Sequence, residues 1–142
     1  MARSLGRCRE MTRIRVLIIE GHDKVRREMA ARLESEAHLE LVGAAASGEE
    51  AIEMVRRSRP DVIVLGLGMR AERGLETCHR VAALMPEARM LVLTTYEDEA
   101  EKQEAYRAGA FRYLLKDLHS LELIRAIGGA QVANPQRGAR DR

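Results

Sequence analysis

Residues 61–70 read DVIVLGLGMR, and this stretch decides the fold. Its apolar run, Val62 to Leu65, is short, rich in β-branched residues and stopped by Gly66. Such a run is typical of a central strand that is buried on both faces. In open α/β sheets, the residue just past a central strand lies where ligands bind and react. Here that residue is a glycine, so the usual place for chemistry has no side chain.

Further short apolar runs on either side of this stretch predict a regular alternation of strands and helices. The predicted strands cover 14–19, 39–42, 61–65, 90–94 and 111–115, and the predicted helices cover 24–36, 48–58, 73–85, 97–108 and 119–130. Alternating elements with short connections indicate an α/β fold with a doubly wound parallel sheet. We expect the flavodoxin-like strand order 2-1-3-4-5, with the site at the carboxyl ends of strands one, three and four.

Local signals set the expected boundaries. Asp23 is a candidate N-cap for the first helix, and Ser47 with Glu50 forms a capping box at the second. We expect one domain over residues 14–130, a flexible basic N-terminal tail over 1–13, and a flexible tail or linker over 131–142.

Composition excludes several classes of protein. The 142 residues carry a formal net charge of +2, which is too small to indicate nucleic-acid binding by itself. Cys8 and Cys78 have no metal-site spacing, and a disulfide between them is not expected. The N-terminal arginines lack the apolar stretch of a secretory signal, and no segment approaches the length of a membrane span. These features predict a cytoplasmic protein.

Several stretches together resemble the receiver domain of two-component response regulators, most closely the kind that precedes a LuxR-type helix-turn-helix (NarL/FixJ-like). The resemblance covers residues 14–130 and is carried by IRVLII (14–19), VGAAASGEEA (42–51), RPDVIVL (59–65), GLE (74–76), LVLT (91–94), AGA (108–110) and YLLKD (113–117).

The resemblance assigns a role to each residue at the carboxyl edge of the sheet. The family's two acidic positions after strand one, its phosphoacceptor, its hydroxyl residue and its lysine correspond here to Glu20, Gly21, Gly66, Thr94 and Lys116. The family's switch aromatic corresponds to Tyr113. Only one of the three family carboxylates therefore remains.

The missing side chains are those that the family's chemistry needs. Aspartyl phosphorylation requires a carboxylate nucleophile and Mg²⁺, which is usually anchored by carboxylates. We therefore expect a degenerate receiver with no catalytic residue, no cofactor and a lost Mg²⁺ site. For Lys116 we predict an ion pair with Glu20, the alternative being that both are inherited remnants.

The fourth predicted helix departs from the family pattern because it is heavily charged. Lys102 and Gln103 stand where apolar residues are usual, which leaves a thin apolar face of Ala105 and Tyr106. We expect this helix to be loosely packed and the most mobile element of the domain.

Three functions remain open at this point. The first is a signalling or transcription-regulatory module that is not an enzyme and acts by protein contact, with a partner or as a homodimer through helix 4, strand 5 and helix 5. A LuxR-type output domain would need roughly another 60 residues, so we expect no DNA-binding domain in this chain, which is either a stand-alone receiver or a fragment.

The second function is a sensor with a small molecule in the emptied pocket near Lys116 and Thr94. The third is phosphotransfer through a non-standard acceptor such as Asp23 or a hydroxyl.

Overall fold

In a computed structural model, which describes residues 13–68, 71–117 and 121–132, five parallel strands form one sheet in the order β2-β1-β3-β4-β5. The strands are β1 (Ile14–Ile19), β2 (Leu39–Ala45), β3 (Val62–Gly66), β4 (Arg89–Thr94) and β5 (Arg112–Leu115). The helices are α1 (Asp23–Glu34), α2 (Gly48–Ser58), α3 (Ala71–Leu84), α4 (Glu99–Arg107) and α5 (Glu122–Val132). The predicted fold class and strand order are confirmed.

Helices cover both faces of the sheet, so it has two separate cores. Strand residues alternate between the faces, as a period of two requires. One core joins Leu17 and Ile63 to residues of α2, α3 and α4, and the other joins Ile18 and Val64 to residues of α1 and α5. Residues 62–65 of β3 are at most 1% exposed, which confirms the central strand buried on both faces.

The two predicted helix starts differ in outcome. The cap of α1 is His22, not Asp23: the Nδ1 of His22 accepts the N–H of Val25 at 3.3 Å. Asp23 is already the first helical residue, and its carboxylate instead pairs with Arg26 at 2.8 Å. The cap is one residue earlier than predicted because His22, and not Asp23, is the last residue with an extended backbone before the helix.

The second helix begins as predicted. The hydroxyl of Ser47 accepts the N–H of Glu50 at 3.2 Å. The carboxylate of Glu50 reaches back to the N–H of Ala46 at 2.7 Å, one residue further than in the usual capping box.

Three further expectations about packing were only partly right. β2 extends to Ala45, three residues beyond the predicted strand, past an irregularity in its register with β1. The apolar pattern of the predicted helix 119–130 places Leu121 on its buried face, but Leu121 precedes α5 and is 56% exposed. On α4, Ala105 is buried but Tyr106 is 41% exposed, so the apolar face is thinner than predicted. The mobility of α4 stays a prediction.

Most of the two tails, residues 1–12 and 133–142, lies outside the described residues, as does Cys8. Within the described ranges, no helix is both long and apolar enough to cross a membrane. Cys78 is buried and unoxidised, and burial raises the pKa of its thiol to about 12. It contributes to the core as a small apolar residue.

Two glycines allow a matched test of the packing. Gly109 has a φ of +113°, and a Cβ on it would lie 2.6 Å from the Cβ of Ala82. Gly109→Ala should therefore lower the free energy of unfolding by about 1–3 kcal/mol, measured by urea denaturation. Gly128 lies inside α5, where a Cβ would meet no atom within 4 Å. Gly128→Ala should be neutral or stabilising by up to about 1 kcal/mol. Equal effects of the two substitutions would contradict this account.

Candidate functional site

The carboxyl ends of the parallel strands meet at one edge of the sheet, and the residues singled out in the sequence lie there. Glu20 follows β1, Gly66 ends β3, Thr94 ends β4 and Lys116 follows β5. The structure brings the side chains of Glu20 and Lys116 together above Gly66. Thr94 ends the neighbouring strand, but its hydroxyl bonds elsewhere.

Glu20 is a buried carboxylate, 1% exposed. Its Oε1 lies 3.0 Å from the Nζ of Lys116, which confirms the predicted ion pair. Its Oε2 accepts the backbone N–H of His22 at 3.0 Å. Oε1 receives no well-aligned hydrogen bond from the residues that the structure describes, so its contact with Lys116 is chiefly one of charge with charge.

Lys116 is held from two sides. Besides its contact with Glu20, its Nζ donates to the backbone carbonyl of Leu67 at 3.0 Å, and the lysine side chain is only 12% exposed. The ammonium group therefore joins the loops after β1 and β3. Because both side chains are largely removed from water, loss of either one would leave the other as a buried charge without a countercharge.

The space above Gly66 is filled by the carboxylate of Glu20. A Cβ on Gly66 would overlap Oε1 of Glu20 and would lie 3.3 Å from the Nζ of Lys116. A side chain at position 66 and the observed position of Glu20 thus exclude each other. The glutamate, one methylene longer than aspartate, reaches the place that a side chain on β3 would take.

Position 66 itself is not open, because Oε1 of Glu20 lies where a side chain on Gly66 would begin, and the hydroxyl of Thr94 contacts Glu101. A small-molecule site near Lys116 and Thr94 stays a prediction. Gly21 is different: it is exposed, and a Cβ there would meet only the carbonyl of Ala46, at 3.6 Å. A carboxylate would fit at position 21, but the sequence provides none.

Thr94 and Tyr113 form a second cluster around Glu101. The Oγ1 of Thr94 lies 2.8 Å from Oε1 of Glu101 and 2.9 Å from the carbonyl of Tyr96. The hydroxyl of Tyr113, whose ring is buried, donates to the same Oε1 at 2.5 Å and accepts the N–H of Asp98 at 3.2 Å. Burial, followed by the hydrogen bond to Glu101, raises the pKa of the Tyr113 phenol.

The sequence patterns did not identify Glu101 as a site residue. Its place was readable in part, because Asp98 caps α4 and Glu101 stands three residues later, in the capping-box position. That pattern predicts a bond back to the cap. The structure instead directs the carboxylate inward to two hydroxyl groups.

The donor set at the edge of the sheet does not fit the Mg²⁺ ion that the resemblance implies. Mg²⁺ requires several oxygen ligands in near-octahedral geometry. Here Glu20 is the one remaining carboxylate, and both of its oxygens already face other groups. The described residues contain no cluster of three or more His, Cys, Asp or Glu placed to hold a metal ion. Loss of Mg²⁺ binding stays a prediction.

The ion pair predicts unequal effects of single and double substitutions. Lys116→Met leaves a buried carboxylate without its countercharge and should cost on the order of 3 kcal/mol of unfolding free energy. Glu20→Gln combined with Lys116→Met removes both charges and keeps an acceptor for His22, so much of that loss should be recovered. Urea denaturation of the unaltered protein, the two single variants Glu20→Gln and Lys116→Met, and the double variant checks this. Strictly additive changes in unfolding free energy would show that the pair is not coupled.

Comparison with known proteins identifies the family of this chain. Residues 16–128 match the family described as the response regulator receiver domain. The chain is 36% identical over 114 residues to the DNA-binding transcriptional activator DevR/DosR of Mycobacterium tuberculosis, covering 80% of this chain and 52% of the relative. It is 33% identical over 123 residues to the transcriptional regulatory protein LiaR of Bacillus subtilis, covering 87% and 58%. The chain thus spans little more than half the length of these curated relatives.

A solved structure gives the same result. A LuxR-family two-component response regulator from Aurantimonas sp. superposes with a TM-score of 0.76 at 27% identity, covering 85% of this chain and 86% of that one. The fold, the matched stretch and the relatives agree, and this chain belongs to the response regulator receiver domain family, in its LuxR/NarL-type group.

Proposed function

We propose that this chain is an atypical receiver module whose state is set by protein contact and not by phosphorylation of an aspartate. The observation that carries the proposal is the carboxylate of Glu20 in the space above Gly66, facing the ammonium group of Lys116. A phosphorylatable receiver would present an acceptor side chain at that place. Here the lysine has an internal anion as its permanent partner.

The other candidate acceptors are poorly suited to receive a phosphoryl group. Glu20 is 1% exposed, and attack on a donor in solution requires access to it. Asp23 is exposed, but it pairs with Arg26 on the far side of the His22 cap. The hydroxyl of Thr94 lies within hydrogen-bond distance of two oxygen acceptors. These contacts weigh against phosphotransfer through a non-standard acceptor, and we propose no enzymatic activity.

The named relatives support a role in transcription regulation. DevR/DosR and LiaR are both named as transcriptional regulators, and the chain matches about half of each. We propose that the chain's part in such regulation is to bind another protein or a second copy of itself. A cytoplasmic location stays a prediction.

Mass spectrometry tests the proposal directly. After incubation with Mg²⁺ and acetyl phosphate, the intact mass of the protein should be unchanged, because position 66 offers no nucleophile. The matched positive control is Glu20→Asp with Gly21→Asp and Gly66→Asp, which restores three carboxylates and shortens the side chain that fills the space. We expect that variant to gain one phosphoryl group. A phosphoryl group on the unaltered protein would refute the proposal.

We propose that protein contact uses α4, β5 and Leu121, which precedes α5. Of the exposed large apolar side chains among the described residues, four lie on or beside these elements: Tyr96, Tyr106, Leu115 and Leu121. A contiguous apolar patch in a free monomer is typical of a surface that another protein covers, whereas single exposed apolar side chains are ordinary. We propose that this surface forms a homodimer, because the same side chains on a second copy offer a matching apolar patch.

Sedimentation velocity tests the dimer. Leu115→Glu places a charge on this surface and should weaken self-association by at least tenfold. Leu84→Glu is the matched control, since Leu84 is 37% exposed at the end of α3, and it should change association little. A monomer at all concentrations, or equal effects of the two variants, would exclude this surface as the dimer contact.

A further inference from the structure

Three elements meet at one oxygen atom of Glu101. Thr94 ends β4, Tyr113 lies on β5 and Glu101 lies in the first turn of α4. The hydroxyl groups of Thr94 and Tyr113 lie 2.8 and 2.5 Å from Oε1 of Glu101. Hydroxyl-to-carboxylate bonds of this length are charge-assisted and stronger than bonds between neutral groups.

The bonds around Glu101 close into a ring that includes the start of the helix. The N–H of Asp98 donates to the Tyr113 hydroxyl at 3.2 Å, which donates to Glu101. The N–H of Glu101 donates back to the carboxylate of Asp98 at 2.8 Å. The position of the buried tyrosine ring and the first turn of α4 thus depend on each other.

The ring of bonds is separate from the edge of the sheet where Glu20 meets Lys116. Both side-chain contacts of the Thr94 hydroxyl lie on the side of α4, at Glu101 and at the carbonyl of Tyr96. The side-chain contacts of Lys116 are to Glu20 and Leu67. The described contacts of the two groups therefore do not overlap, and Oε1 of Glu20 faces Lys116 without a well-aligned hydrogen bond.

We propose that Glu101 is an internal latch: it holds the Tyr113 ring inward and the Thr94 hydroxyl against α4, and so fixes the α4–β5 surface without a phosphoryl group. The latch accounts for how a polar, thinly packed helix keeps its position on the sheet. It does not rest on the proposed function, because its bonds can be broken whether or not the protein accepts phosphate.

The sequence makes Tyr113 easy to observe. The chain has three tyrosines and no tryptophan, and Tyr96 and Tyr106 are 83% and 41% exposed. Replacing these two with Phe leaves Tyr113 as the single tyrosine of the full chain. The ionisation of its phenol can then be followed by the absorbance of the phenolate, and its accessibility by acrylamide quenching of its fluorescence.

In this background, Glu101→Gln should lower the pKa of Tyr113 towards its ordinary value, because a neutral amide replaces the carboxylate that raises it. Burial should keep part of the shift. Glu101→Ala should in addition raise the quenching of Tyr113 several-fold, since the ring is released. The cleft beside the Tyr113 ring is lined by Glu97, Asp98, Glu99 and Lys102. These residues are the same in every variant, so differences in the Tyr113 pKa between variants do not come from their charges.

The matched control is Glu104→Gln on the same helix, where the carboxylate pairs with Arg107 at the surface. It should leave both the pKa and the quenching of Tyr113 unchanged. If the Glu101 variants behave like this control, the latch is refuted. If Glu101→Ala unfolds α4, as judged by circular dichroism, Glu101→Gln decides, because it keeps the size of the side chain.

Amide hydrogen exchange provides a second readout. The N–H of Asp98 should exchange about tenfold faster in Tyr113→Phe and in Glu101→Ala, which corresponds to the loss of roughly one hydrogen bond. The double variant should be no faster than either single variant, because both break the same ring. Multiplying effects would show that the two residues act separately and would overturn the latch.

Discussion

The burial of the Glu20 carboxylate against Lys116 is the constraint on which the edge of the sheet depends. A carboxylate that is 1% exposed is costly unless a cation and hydrogen-bond donors face it. Lys116 provides the charge, and the N–H of His22 provides a hydrogen bond. Because Lys116 also binds the carbonyl of Leu67, the same pair ties together the ends of β1, β3 and β5.

The glycine at position 66 has a structural meaning in this arrangement. Any side chain there would displace Glu20, since a Cβ would overlap its Oε1. Gly66 and the long side chain of Glu20 are therefore complementary, and the lysine is balanced by a residue from a neighbouring strand. The resemblance implies that the family's acceptor corresponds to position 66, and our proposal of an atypical receiver rests on the absence of a side chain there.

The Glu101 cluster shows how the same fold can support a different network. The hydroxyl of Thr94 has turned to α4, where it shares one carboxylate oxygen with Tyr113. The positive end of the helix dipole stabilises a carboxylate in the first turn of α4. The two polar clusters are both connected to β5, through Tyr113 in one and Lys116 in the other, and we propose that together they hold the conformation of this receiver.

The sequence by itself determined the order of elements, because apolar periodicity and glycine and proline positions depend only on local spacing. The resemblance also identified Glu20 as the partner of Lys116, because Glu20 is the one family carboxylate that remains. Only the tertiary structure showed what fills the space above Gly66, because this depends on how far the side chain of Glu20 reaches from the end of β1. The inward turn of Glu101, towards Thr94 on β4 and Tyr113 on β5, likewise depended on contacts between elements, and local patterns carry no record of those contacts.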